Sequence, residues 1–376
     1  MPRTVEEIAL PVARLGTRRA LAVHRFGTLG ARPKAYVQAA LHADETPGML
    51  VAHHLMRLLD DARVPGEVIV VPAANPIGLA QVVAGTHVGR HGLDGGGNFN
   101  RGFPDLVPHA EALLRGRLGP DAAANVPLVR DALRDAHAAH RPAGELGALR
   151  HALLGLALDA DLVLDLHCDT ESVMHLYTGD ALWPDAADIA AELGCRAVLL
   201  ARESGGRPFD ESCSAPWWRL AERLGDATPI PPACLAVTVE LRGKADVEDA
   251  LAAADAQALL RVLIRRGIVA GEAGPLPPPV CAATPLAGLD RLTAPASGVI
   301  AFRRRVGDAV RAGEVVADIV DPTAADPATA RTPVTAGADG LLMARSNLRF
   351  VGLGDLVASI AGATPLPESG RGLLFD

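Results

Sequence analysis

The sequence predicts an α/β fold, a mostly parallel or mixed sheet flanked by helices, followed by a small all-β unit. Three observations carry this. From Lys34 to about residue 265, short β-branched runs alternate with longer Ala/Leu-rich runs, the pattern of strands joined through helical crossovers. The stretch G-E-A-G-P-L-P-P-P-V at 271–280 is rich in Pro and Gly and reads as a linker. Beyond it the runs are short, alternating and broken by Gly turns, with no amphipathic helix. The expected division is therefore a larger unit at 1–272 and a β-rich unit at 281–376.

The strand candidates are 35–41, 67–72, 162–166, 197–201 and 235–241, each a compact apolar run. Between them lie helix candidates at 49–61, 146–158, 184–193, 215–224 and 247–266. Thr46-Pro47 reads as an N-cap followed by Pro at the first helical position. With 376 residues and 49% hydrophobic content the chain can bury a large core, but aromatics are only 3%, so Ala, Val and Leu must fill it.

Composition removes several classes of function. The net charge is -8 and the 36 cationic residues are dispersed, which leaves no footprint for nucleic acid. Five cysteines without a C-x-x-C pair argue against a disulfide framework and a cysteine zinc site, and suit a reducing compartment. The amino terminus has early acids and no apolar signal core, and no run of about 18 apolar residues occurs. A soluble cytoplasmic protein without membrane partners is expected; a homo-oligomer stays open.

Three polar pieces stand at predicted strand ends, where α/β sheets bind ligands, and a fourth follows a Gly-rich loop. In A-L-H-A-D-E-T-P-G, His42 and Glu45 share one strand-to-helix turn and can converge on a cation. Alone, H-x-x-E is common by chance. In D-L-V-L-D-L-H-C-D a buried-looking strand ends at His167, with Asp165 on the same face. The three residues make a His₂Glu set of the kind that holds catalytic zinc and leaves a position for water. Read alone, His167 is an ordinary core or capping histidine, and Asp165 is placed to orient a ligand.

In L-A-V-T-V-E-L-R-G, Glu240 sits among apolar neighbours, where a carboxylate is costly unless paired or used. A general base is one reading and a salt bridge to Arg242 the other. G-N-F-N-R-G-F-P carries Asn98, Asn100 and Arg101, an arrangement suited to gripping a carboxylate or to a plain loop turn. Gly205–Trp218 reads equally as a pocket wall or a helix packing patch, with Asp210 and Glu211 as acids that could favour a cationic group. Asp44 has no assignment.

Taken together, H-A-D-E, N-P at Asn75, N-R-G-F-P, D-L-H and V-E-L-R-G resemble the succinylglutamate desuccinylase/aspartoacylase family, a branch of the zinc carboxypeptidase-like fold, over about residues 30–265. The resemblance implies one Zn²⁺ per chain on His42, Glu45 and His167. It implies Glu240 as the base for a metal-activated water and Asn100 with Arg101 as the binders of a substrate carboxylate. It also implies a carbonyl-polarising arginine, for which Arg90 is the candidate. The implied activity is deacylation of a small N-acyl amino acid. The alternatives are a carboxypeptidase-like metallopeptidase and a non-catalytic binding protein with a vestigial metal site. The carboxy-terminal stretch resembles a biotinyl/lipoyl-type β domain, but no lysine follows Lys244, so it carries no covalent cofactor.

Overall fold

The computed structural model describes residues 3–183 and 185–366. Its central sheet has nine strands. In chain order they are β1 (Thr4–Ala9), β2 (Ala20–Gly27), β3 (Lys34–Ala39), β4 (Glu67–Val71) and β5 (Leu162–Asp169), followed by β6 (His175–Gly179), β7 (Ala197–Ala201), β8 (Leu235–Gly243) and β9 (Ala283–Pro285). The spatial order is β1-β2-β4-β3-β5-β8-β6-β7-β9. The inner strands β4, β3, β5 and β8 are mutually parallel, while β6 runs against β8.

Strands buried on both faces read as continuous apolar runs, and β3 to β5 show why. Ala35, Val37 and Ala39 with Leu162, Leu164 and Leu166 pack under helices α1 (Pro47–Asp60) and α7 (Asp249–Arg265). On the opposite face Tyr36 and Val163 join a second core under α2 (Val107–Leu114), α3 (Ala122–Ala139), α4 (Gly144–Ala157) and α6 (Phe209–Leu224), while α5 (Ala187–Leu193) packs into the first core. Along that second face each strand turns polar toward its carboxyl end: Gln38 on β3, Asp165 and His167 on β5, and Thr238 and Glu240 on β8. Register aligns these side by side, Gln38 with Asp165, Asp165 with Thr238, and His167 with Glu240.

Several sequence expectations shift in detail. Pro47 does open α1, but Thr46 is itself helical and makes no side-chain cap bond. The fourth helix candidate begins at Ala187, and Pro184 lies outside the described residues. The 215–224 candidate extends back to Phe209 and continues through Pro216. Among the described residues no helix is long and apolar enough to cross a membrane.

Beyond the linker, two antiparallel sheets pack around a core of their own, including Ile300, Val316, Ile319 and Leu342. One contains Leu289–Thr293, Leu356–Gly362 and Gly340–Arg345, and the last of these pairs with Glu171–Ser172, just past β5. Arg345 also donates to Glu171 at 2.6 Å. The carboxy-terminal sheets are thereby tied to the exit of the strand that carries His167, and residues 283–285 add β9 to the central sheet.

Candidate functional site

The chain leaves β3 through Ala40, which adopts a positive φ of 58°, so that the following residues turn back over the sheet end. This places His42 and Glu45 beside His167, which stands two residues inside the end of β5. All three side chains are buried, and one donor atom from each lies within 4.8 Å of the others.

The hydrogen bonds fix which atoms face the centre. Asn98 Oδ1 accepts the Asn100 backbone N–H at 2.9 Å, so its oxygen is the atom 2.8 Å from His42 Nε2. Nε2 must then carry the proton and Nδ1 keeps its lone pair, aimed at Glu45 Oε1 at 3.0 Å. His167 Nδ1 approaches Glu45 Oε2 at 2.7 Å, while its Nε2 lies 3.0 Å from Asp165 Oδ2. Asn100 Nδ2, at 3.4 Å from the same nitrogen, is the weaker contact. Behind Asp165, Gln38 donates to its Oδ1 at 2.9 Å and Tyr36 donates to Gln38 at 2.9 Å.

Two nitrogen lone pairs and a carboxylate converging at these distances repel unless a positive species lies among them. Burial opposes the Glu45 charge, but the two histidines outweigh it and hold its carboxyl well below the usual range. Burial also disfavours charge on His167, yet Asp165 and Glu45 raise it well above an ordinary histidine. Arg90 Nη1 donates to Glu45 Oε1 at 3.1 Å and approaches His42 Nδ1 at 3.3 Å. Two imidazoles and one carboxylate fit a divalent metal of the zinc type, which would take the place of the proton that Asp165 and Glu45 otherwise favour on His167.

Glu240 faces the triad from β8. Burial first, and the Glu45 charge second, push its carboxyl up to about 8, and Oε2 is shut from solvent without a hydrogen-bond partner. The salt-bridge alternative does not hold, because Arg242 turns away with φ 64° and pairs with Asp255. The strand register slips between Glu240 and Gly243, a bulge of the sort that re-aims a side chain at a strand end.

His42, Glu45, His167, Glu240, Arg90, Asn100 and Arg101 all line one cavity. Asn100 Oδ1 accepts the Phe209 N–H at 2.8 Å, and Arg101 Nη1 donates to the Asn100 carbonyl at 2.7 Å. Of the Gly205–Trp218 stretch, Pro208, Asp210 and Glu211 reach the cavity, whereas Phe209 and Trp217 belong to the core. Asn75 is structural, donating to the Leu41 carbonyl at 2.8 Å and accepting from Gly78 N–H at 2.8 Å. Sequence reasoning missed Tyr177 and the residues that close the cavity from the carboxy-terminal side, among them Leu286, Leu289, Arg291 and Ser359. Only the alternation of Leu289 and Arg291 on one strand could have hinted at them.

The catalytic-domain family described as succinylglutamate desuccinylase/aspartoacylase matches residues 31–115. A succinylglutamate desuccinylase/aspartoacylase family protein from Shewanella amazonensis SB2B is 26% identical over 96% of this chain and 98% of its own, with TM-score 0.83. Residues 31–115 are thus similar to that catalytic domain. A protein of the same description from Shewanella frigidimarina NCIMB 400 shares the fold at 24% identity, 96% and 97% coverage and TM-score 0.84. The product-bound ectoine utilization protein EutE (DoeB) from Ruegeria pomeroyi does so at 20% identity, 96% and 95% coverage and TM-score 0.68. No curated protein matches the chain by sequence. The matched segment 31–115 contains His42, Glu45, Arg90, Asn100 and Arg101.

Proposed function

We propose that the protein is a zinc-dependent hydrolase that cleaves the amide bond of a small N-acyl amino acid. The observation that carries this reading is the convergence of His42 Nδ1, His167 Nδ1 and Glu45 on one point, with Glu240 facing it. His42, Glu45 and His167 would hold one Zn²⁺. When bound, zinc supplies Lewis acidity and lowers the pKa of water toward about 7.

The chain's own groups do the remaining work. Glu240, with an elevated proton affinity, takes the proton of the attacking water and passes it to the departing amine. Arg90, 43% exposed at its side chain, is free to turn from Glu45 toward the carbonyl oxygen and stabilise the charge that develops there. Asn100 and Arg101 hold the substrate carboxylate. Residues 1–272 form the catalytic unit and 281–376 a β-rich unit that closes the cavity, in a cytoplasmic protein.

The small-molecule reading is preferred over peptide trimming because the family resemblance points to short acyl groups; Leu286, Leu289 and Ser359 add carboxy-terminal walls to the same cavity. A mass-spectrometric screen of N-acetyl and N-succinyl amino acids and short peptides, using zinc-loaded protein, tests it. Release of a free amino acid from the first group supports the deacylase, and cleavage confined to peptides contradicts it.

A further inference from the structure

Asp44, between the two loop ligands, has no part in the reading above. Its Oδ2 forms an ion pair with Lys244 Nζ, and its Oδ1 is shut from solvent with no hydrogen-bond partner. The carboxylate is 16% exposed at its side chain, so Lys244 is the charge that compensates it. Lys244 follows Glu240 by four residues at the exit of β8, and its backbone N–H donates to the Thr170 carbonyl at 3.1 Å, just beyond the His167 strand. Its charge reaches Cys168, the neighbour of His167.

The backbone of Asp44 is gripped on its other side. Ala43 N–H donates to the Gly89 carbonyl at 3.0 Å, and a Cβ on Gly89 would lie 2.1 Å from Asp44 N. Asp44 therefore stands where three segments meet: its own His42–Glu45 loop, the loop that delivers Arg90, touched through the backbone, and the strand exits that carry His167 and Glu240, reached through the side chain. Lys244 is one of two lysines in a chain whose other cations are arginines, and an ammonium meets a carboxylate as a compact point charge where a planar fork would need more room.

We propose that the Lys244–Asp44 ion pair is a lock between the metal-ligand loop and the strand of the base, which makes Lys244 a positioning residue for zinc binding and proton transfer; this rests on the zinc reading above. Removing Lys244 leaves a mostly buried carboxylate uncompensated. The loop then relaxes by turning Asp44 outward, and Glu45, the next residue, moves with it. Displacement of about 1 Å in such a site lowers turnover by about 100-fold.

Zinc affinity, measured by competition with a chromophoric chelator, and steady-state kinetics on the substrate found in the screen test the lock in Lys244→Met and Lys244→Arg. The expected result for Lys244→Met is zinc affinity weakened about 10–100-fold and a lowered kcat with KM little changed, while Lys244→Arg, which keeps the charge on a bulkier head, recovers part of the affinity. A purely structural pair would lower the melting temperature and leave zinc affinity and the kcat-to-KM split at parent values; that result overturns the proposal. If Lys244→Met does not fold, Asp44→Asn carries the same expected loss and the same contrary result. A parent protein that binds no zinc refutes the metal reading instead, and the two failures are thereby distinct.

Discussion

Asn98 Oδ1 accepts two hydrogen bonds at once, from His42 Nε2 at 2.8 Å and from the Asn100 backbone at 2.9 Å. The second bond fixes the amide orientation, and the first thereby fixes the tautomer that turns His42 Nδ1 toward Glu45. Such outer partners hold a ligand's direction and basicity. Asn98→Ala should weaken zinc binding about 10–100-fold with the fold intact by circular dichroism. Unchanged affinity in a chelator competition would show that Asn98 does not orient His42.

Glu240 is close to isosteric with Gln, so Glu240→Gln should keep the cavity and its zinc while removing the proton carrier. The expected loss in kcat is about 10²–10⁴-fold, with zinc content equal to parent by elemental analysis. Parent-like hydrolysis would assign the base elsewhere in the cavity.

Burial first, then the neighbouring Asp210 charge, push the Glu211 carboxyl from 4.5 up to about 7, and burial first, then the Asp165 charge, push Asp210 to about 6. The folded state then binds protons that the unfolded state has already released. Stability from this source is complete below about pH 4.5 and is lost as pH rises through about 7. Glu211→Gln should flatten that decline relative to parent in urea titrations at pH 4.5, 6 and 7.5. Parallel curves would show that the carboxyl is not protonated in the fold.

Gly89 lies against the backbone of the ligand loop with no room for a Cβ. Gly89→Ala should cost about 1–3 kcal/mol, the range for forcing an extra carbon into a packed site, and should displace Arg90 along with the loop. Thermal unfolding together with zinc affinity measures both effects. A variant matching parent in both would mean the loop yields freely.

How much of this the sequence discloses depends on the range of each contact. His42 and Glu45 are legible because three residues separate them on one turn. The inward-facing apolar runs of β3, β5 and β8 are legible because burial on both faces leaves a continuous signature. His167 meets Glu45 across 122 residues; both stand at predicted strand ends, where a His₂Glu set can assemble, but taken alone His167 reads as a core histidine. Lys244 meets Asp44 across 200 residues, and no local pattern marks the pair. Arg242 was an open partner for Glu240 because the positive φ that turns it toward Asp255 has no glycine to announce it. The cavity wall from residues 286–359 depends on how two sheets dock, which periodicity within either cannot reveal.

The central claim is that one zinc ion, held by His42, Glu45 and His167, makes this chain an amide hydrolase. Its most direct test is to strip the protein with a chelator and titrate zinc back while following amine release from an N-acyl amino acid. Activity that is absent in the stripped protein and rises linearly to a plateau at about one zinc per chain is the predicted result. Hydrolysis that persists without metal, or that never appears with it, would contradict the account.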